Sequence, residues 1–347
     1  GSEIISPAQV EKNKTIVFTA RPEDAGYVVE KWTNGVRPIA GETATVYTHT
    51  VTADANIAVH FKTVTAYDVY VSVTSNNKAY VYKNGSPTAL SAEDPANRLD
   101  CFTVKALGTQ VYIAGNELEY GAAKPRVWKA DGSLHWSRPN NYGSAYDITL
   151  HNGKTLVAGK THDGTDIGAS ITDISDPGNP VVTFLYKKTP PINYAEAHAL
   201  CTSTDTLYAA GYKRQGSTEK AFLWTLPDGG TMRETELGLQ GSGIHSSVVP
   251  YGLCTAGSSV YVAAGNLWKV EGGTVTSVPV ADAYALYALC VCEGTVYAAG
   301  WTNTSRAAVW KIEGASASLY TTFSVNSSNI YALCAFGSTL FAAGQTY

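Results

Sequence analysis

The sequence is short of charge. Asp, Glu, Lys and Arg make up 16% of its 347 residues, against roughly 25% in an ordinary soluble protein. Hydrophobic residues make up 44%, the opposite of the balance that keeps a chain disordered. The formal net charge is −4 and no basic block occurs, which argues against nucleic acid or an anionic membrane as the main partner. No apolar run approaches the 18 or so residues of a membrane span, so none is expected. Catalytic signatures are missing too. The seven His residues (49, 60, 135, 151, 162, 198 and 245) form no close pair at ligand spacing, and there is no C-x-x-C, so no metal site is expected. A G-x-S-x-G elbow is absent. Gly241-Ser-Gly243 is too short for a phosphate loop and no Gly-Lys-Ser/Thr follows it, so no cofactor is expected.

Glycine and tyrosine are plentiful instead, at 32 and 22 residues, and with low charge they favour an all-β chain with many turns. A short apolar segment recurs, usually ending in Ala-Gly. It reads Val111-Tyr-Ile-Ala-Gly115, Thr155-Leu-Val-Ala-Gly159, Leu207-Tyr-Ala-Ala-Gly211, Val296-Tyr-Ala-Ala-Gly300 and Leu340-Phe-Ala-Ala-Gly344. Val260-Tyr-Val-Ala-Ala-Gly265 is one residue longer, and Val69-Tyr-Val-Ser-Val73 lacks the glycine. Apolar β-branched and aromatic runs bounded by turn residues read as strands, and this one is termed strand b. Strand a precedes it and carries an aligned position, six residues before b begins, held by Lys105, Thr149, Cys201, Cys254, Cys290 and Cys334. Strand c follows it around an aromatic: Tyr82, Trp128, Trp224, Trp268 and Trp310, with one divergent copy at Ile171–Ser175. Most copies then end in Asn-Gly, Asp-Gly or Glu-Gly, the first two strong hairpin signals. A weaker strand d closes each unit.

Four strands per 36 to 53 residues is the signature of a β-propeller. Seven copies of b stand against six each of a, c and d. The expectation is therefore six blades, one built from both termini; seven blades is the alternative and would need a further c and d. The propeller is expected over residues 67–347. Residues 3–62 show no blade motif and read as a small β-rich domain with strands at Thr15–Ala20, Gly26–Trp32, Tyr47–Val51 and Asn56–Phe61. Equivalent positions in successive repeats are held apart, so the six Cys residues are expected to be mostly buried free thiols. Cys290 and Cys292 share one strand face and are poorly placed to bond each other.

Phe18-Thr-Ala20, Gly26-Tyr27, Lys31-Trp32, Asn34-Gly35 and Thr52-Ala-Asp-Ala55 resemble the divergent internalin-type B-repeat of bacterial surface proteins over about 60 residues. The Tyr-Ala-Ala-Gly and Trp-Lys-x-x-Gly units resemble propeller repeats of secreted or lipid-anchored proteins of gut Bacteroidetes. Ile171-Thr-Asp-Ile-Ser-Asp-Pro-Gly-Asn-Pro180 resembles a phrase of other surface-protein propellers. The resemblance implies an extracellular or cell-surface location and a role in adhesion or binding. It supplies no catalytic motif. Gly1-Ser2 has the look of a cloning scar, and a signal segment is expected to have preceded the natural chain.

Three residues before the aligned position of strand a lie Phe102, Tyr146, His198, Tyr251, Tyr287 and Tyr331. With strand a near the axis, they would ring one channel mouth and offer stacking surfaces for a sugar or another planar ligand. A repeated aromatic also serves packing between blades, and fold repetition alone would produce it. Antiparallel order brings the b–c and d–a loops to one face. That face gathers Asn140–Gly143, Pro190–Tyr194, Gly241–His245, Asp163, Asp166, Arg214, Trp301 and Arg306, as binding groups or as ordinary solvated loops. The candidate ligand-binding residues are thus Tyr146, His198, Tyr251, Tyr287, Tyr331, Trp301 and Arg306. Asp163 and Asp166 could suit calcium, but a solvated turn is the simpler reading. Glu119, Asp147 and Glu196 could supply paired carboxylates across blades, although solvated surface charges are the plainer expectation. The reading is a non-enzymatic extracellular module binding a glycan or a protein. The alternative is a carbohydrate-active hydrolase or lyase with carboxylates at the channel mouth.

Overall fold

The computed structural model describes residues 11–20, 27–39, 45–63, 68–138, 142–162, 167–188, 194–238, 248–326 and 328–346. Among them every regular element is a strand. The chain divides into two compact units, residues 1–68 and 69–347.

The smaller unit holds two sheets. Thr15–Thr19 pairs with Val46–Thr50, and Tyr27–Asn34 lies between Arg37–Pro38 and Ile57–Thr63. Its core is built on Trp32, Val29 and Ala20. The Trp32 ring lies 5.5 Å from Tyr47 and 6.2 Å from Phe18. Three aromatics at these spacings supply much of the apolar area that so short a segment can bury.

The larger unit is a succession of seven antiparallel sheets. The first has three strands, Tyr70–Ser75, Lys78–Lys83 and Ser86–Ala89, which are b, c and d. Five sheets are complete and ordered a-b-c-d. The second is Arg98–Leu107, Gln110–Glu119, Ala122–Lys129 and Leu134–Ser137; the third is Gly143–His151, Lys154–His162, Ile167–Asp173 and Val181–Lys187. The fourth is Tyr194–Thr202, Thr206–Gln215, Thr218–Pro227 and Arg233–Leu237; the fifth is Gly252–Ala256, Ser259–Ala264, Asn266–Glu271 and Thr274–Val278. The sixth is Ala283–Cys292, Thr295–Thr302, Arg306–Glu313 and Ser316–Asn326. The seventh has only a and b, Ser328–Phe336 and Thr339–Thr346.

Apolar clusters lie between consecutive sheets. Trp128 packs with Ala79 and Val81 of the first sheet, Trp224 with Leu156 and Ala158 of the third, and Trp310 with Cys254 and Leu267 of the fifth. These three indoles are fully buried, and each donates its N–H to an oxygen, as a buried indole must. Tyr82 holds the same register in the first sheet yet is only half-buried.

The two terminal sheets do not merge into one blade. Strand b of the first sheet remains at the sheet edge, while Ser328–Phe336 pairs with its own Thr339–Thr346. The two sheets differ at one position. In the seventh sheet strand a carries a β-bulge, and glycine stands opposite it. A Cβ at Gly344 would sit 1.8 Å from the Asn329 carbonyl oxygen. Val73 occupies that place in the first sheet and brings a Cβ with it.

All six cysteines are free. Fewer are buried than the repeat suggested. Cys254 and Cys292 are buried, Cys101, Cys201 and Cys290 are half-buried, and Cys334 is exposed. In complete sheets this position is packed against the following sheet, as Cys201 is against Leu253 and Val260; Cys334 belongs to the seventh sheet, whose apolar contacts, Ile330 and Leu333, are made with the sixth.

Candidate functional site

Strands a and b meet through an irregularity that recurs at equivalent places. In the pairing, Ala114 faces Thr103 and Gly115 faces Cys101, so Phe102 is skipped. Tyr146, His198, Tyr287 and Tyr331 are skipped in the same way in their own sheets. Each aromatic is thus the extra residue of a β-bulge, the device that re-aims a side chain out of a ladder. Opposite each bulge stands the glycine of the Ala-Gly motif. A Cβ there would lie 2.1, 1.7, 2.0, 1.9 and 1.8 Å from the carbonyl oxygen two residues before the aromatic, at Gly115, Gly159, Gly211, Gly300 and Gly344 respectively. No side chain fits at such distances. Glycine and aromatic are therefore two halves of one structure. The fifth sheet is the exception that tests this. There Ala264 takes the glycine's place, and strand a begins only at Gly252, directly after Tyr251.

The six aromatics form a continuous arc. Ring centroids step from Phe102 to Tyr146 at 5.1 Å, Tyr146 to His198 at 3.9 Å, His198 to Tyr251 at 6.2 Å, Tyr251 to Tyr287 at 5.5 Å and Tyr287 to Tyr331 at 5.1 Å. Contacts at each step show that the rings pack from sheet to sheet. Phe102, Tyr251 and Tyr331 are also 47%, 49% and 43% exposed, so the arc keeps open ring surface.

Beneath Tyr146 and His198 lies Glu196. It is 3% exposed and surrounded by donors. Tyr194 donates to Oε1 at 2.5 Å, Tyr146 and Tyr212 to Oε2 at 3.0 and 3.4 Å, and His198 Nε2 lies 3.0 Å from Oε2. Lys160 Nζ lies 3.5 Å from Oε1 and donates to the Tyr194 hydroxyl at 2.9 Å. Burial by itself would raise the carboxyl pKa; His198, Tyr194 and Lys160 outweigh it and hold it at about 2. The three phenols are pushed up, by burial first and then by the charge on Glu196 for Tyr146 and Tyr212, or by hydrogen bonding to it for Tyr194. Lys160 and Arg214 also lie 4.1 and 5.2 Å from the Tyr194 ring centroid.

The other two proposed carboxylates go elsewhere. Asp147 takes Lys105 at 2.7 Å and the backbone N–H groups of Ile148 and Leu200. Glu119 is partly exposed and pairs with Lys124. Solvated charge therefore describes Glu119 only; Asp147 and Glu196 are buried because strand a turns them into a sheet junction where a neighbouring lysine meets each. Glu117, which the sequence reading passed over, is fully buried and takes Arg126 at 3.0 Å and the N–H groups of Glu93 and Asp94.

Trp301 and Arg306 stand apart from the ring-to-ring path. Trp301 packs edge-on against Tyr284 at 4.8 Å, and the Arg306 N–H donates to Thr302 Oγ1 at 3.2 Å. Asn140, Asn141, residues 190–193, Gly241–His245, Asp163 and Asp166 lie outside the described residues. Among the described residues no cluster of His, Cys, Asp or Glu could hold a metal ion. A cavity of about 250 Å3 opens beside Leu267, Val278, Pro279, Ala283, Tyr284 and Leu286. It carries no acid or base other than Tyr284.

Tyr194 was expected only as the end of the Pro190–Tyr194 loop, and Tyr212 and Lys160 were not singled out from the sequence. A signal was present in Tyr194-Ala-Glu196-Ala-His198, where polar groups alternate with alanine along a buried strand.

No family model matches the chain, and no curated protein matches it. Among solved structures it is similar to a chain in the crystal structure of a mitotic checkpoint complex. The TM-score is 0.50 at 10% identity, covering 79% of this chain and 80% of that one. Likeness at that identity shows the fold alone. Together with the repeated sheets it defines an all-β protein of the β-propeller type.

Proposed function

We infer that this chain is a non-enzymatic binding module whose ligand lies on the aromatic arc. One observation carries the reading. Six rings from six consecutive sheets touch in sequence, three of them with open surface, and five are placed there by a bulge and its glycine. Packing alone would be served by burying all of them. A carbohydrate chain suits the arc, since sugar faces stack on ring faces while hydroxyl groups meet the Tyr and His edges. An exposed protein loop is the second ligand class that such a surface admits. A surface location outside the cytoplasm is supported by the likeness of the first unit to B-repeats.

A hydrolase or lyase at this mouth is less well supported. A general acid must stay protonated near neutrality. Glu196 is held ionised, at about 2, by the groups around it.

The test is a glycan array followed by titration of any hit. Tyr251→Ala and Tyr331→Ala should each weaken binding about tenfold, the effect of losing one stacked ring. Trp301→Ala should leave it unchanged. Affinity indifferent to both tyrosines, or turnover of the bound glycan, would refute the reading.

A further inference from the structure

The fifth sheet is cut short at one end, and a cleft lies where its neighbours continue. In the other complete sheets the b–c ladder runs on past the bulge glycine. It reaches Glu119 opposite Ala122, His162 opposite Ile167, Gln215 opposite Thr218 and Trp301 opposite Ala307. In the fifth it ends at Ala264 opposite Asn266. Gly265 alone makes that turn, at a φ of +67°, in the left-handed region that suits glycine. Strand a of the fifth sheet begins only at Gly252, after Tyr251, whereas strand a of the sixth begins at Ala283, ahead of Tyr287. The start of strand a in the sixth sheet therefore has no counterpart in the fifth.

The cavity of about 250 Å3 is lined by the short turn, residues 265–267, by the end of strand d and its link, residues 277–280, and by the start of the next strand a, residues 283–286. Leu267, Val278 and Leu286 are buried and apolar, while Asn266 and Ser277 are half-buried and polar. Tyr284 is skipped in the a–b pairing of the sixth sheet, so a second bulge re-aims it, and its ring is held edge-on against Trp301 at 4.8 Å. Among the described residues the lining holds no Asp, Glu, Lys, Arg or His. A charged group would give up its hydration there and meet no counter-charge, so the cleft selects a neutral occupant. An apolar cavity of roughly 150 Å3 takes up benzene, which leaves room here for one ring and a short substituent. Tyr284 offers that ring an aromatic neighbour, and Asn266 and Ser277 offer the substituent hydrogen bonds.

We propose that this cleft between the fifth and sixth sheets binds a neutral, single-ring aromatic group bearing one hydrogen-bonding substituent. Two sources offer that chemistry. One is a free small aromatic compound. The other is an aryl substituent on a sugar held by the arc, because Leu286 of the cleft is followed in strand a by Tyr287 of the arc. The cleft itself does not depend on what the arc binds, and an arc that bound no glycan would leave it standing.

The probe is benzyl alcohol, titrated into the full chain with Leu and Val methyl groups labelled for NMR. Saturable binding is expected, with a Kd on the order of 1 mM for so small a ligand. Its ring protons should show NOEs to the methyl groups of Leu267, Val278, Val280 and Leu286. Benzoate and benzylammonium should bind at least about tenfold more weakly, and cyclohexylmethanol at least about threefold. Ala283→Leu, which fills the cleft, should abolish the NOEs; should it alter the melting curve, the ligand series and the NOEs of the unaltered chain decide. Phenyl glucoside compared with phenol separates the two sources. A gain of about tenfold that Tyr251→Ala removes assigns the ring to a sugar on the arc, and no gain assigns it to a free compound. No saturable binding, NOEs confined to the arc, or affinity for benzoate or cyclohexylmethanol equal to that for benzyl alcohol would overturn the proposal.

Discussion

Two residue types set the behaviour of the arc at the smallest scale. Glu196 is the charge at its base. An unperturbed glutamate titrates at 4.5, and the folded value is lowered to about 2. The stabilising contribution is therefore complete above about pH 5 and is lost as the pH falls from about 4.5 towards 2. It is on the order of 3 kcal/mol. Glu196→Gln should flatten that acid limb of the stability curve in urea unfolding. At neutral pH it should cost about 3 kcal/mol, because Lys160 and His198 lose the charge they face. The bulge glycines are the second type. Gly300→Ala puts a Cβ 1.9 Å from the Ala285 carbonyl oxygen and should cost about 3 kcal/mol or more. Gly216→Ala, at a hairpin tip with open space and φ of +60°, should cost only about 1 kcal/mol. Equal losses in thermal melts of the two variants would sink the steric account.

At the scale of the strand, a and c divide the labour. Strand c carries the indoles that fill the space between sheets, and strand a carries the rings that the bulge turns out. Trp310 is fully buried, and Trp310→Ala should destabilise the chain by about 4 kcal/mol. Tyr82→Ala, at the same register but half-buried, should cost well under half of that. Chemical denaturation of the two variants checks the difference. Similar values would mean that the first sheet is as enclosed as the sixth.

Across the whole molecule the same packing predicts how the thiols respond. Burial pushes the Cys254 thiol up to about 12, with Cys290 a smaller contributor, and raises Cys292. Neither should react with iodoacetamide while the chain is folded. Cys334 lies on the exposed side of the seventh sheet and should be labelled first. Mass spectrometry of the natively labelled protein reads the order directly. A reducing agent should leave the melting temperature unchanged, since no disulfide joins any two of the six residues. A shift on reduction would contradict the free-thiol arrangement.

Periodicity was sufficient for the all-β class and for the strand order within each repeat. The spacing of Ala-Gly and of the Trp-centred strands marked out strands a to d, because one buried pattern must recur wherever one supersecondary unit recurs. Phe102, Tyr146, His198, Tyr251, Tyr287 and Tyr331 could be aligned by counting for the same reason. Three things needed the fold. The role of Gly115 and its equivalents depends on a carbonyl oxygen from another strand, which no local pattern reveals. The burial of Glu196 depends on Lys160 from the preceding sheet and Tyr212 from the next strand, 36 residues before it and 16 after. The separation of the two terminal sheets is a matter of which strands pair, and both ends carry the strand signals that a shared blade would need. Spacing along a chain fixes what repeats; distances of 2 to 4 Å between residues remote in sequence decide what each repeat can do.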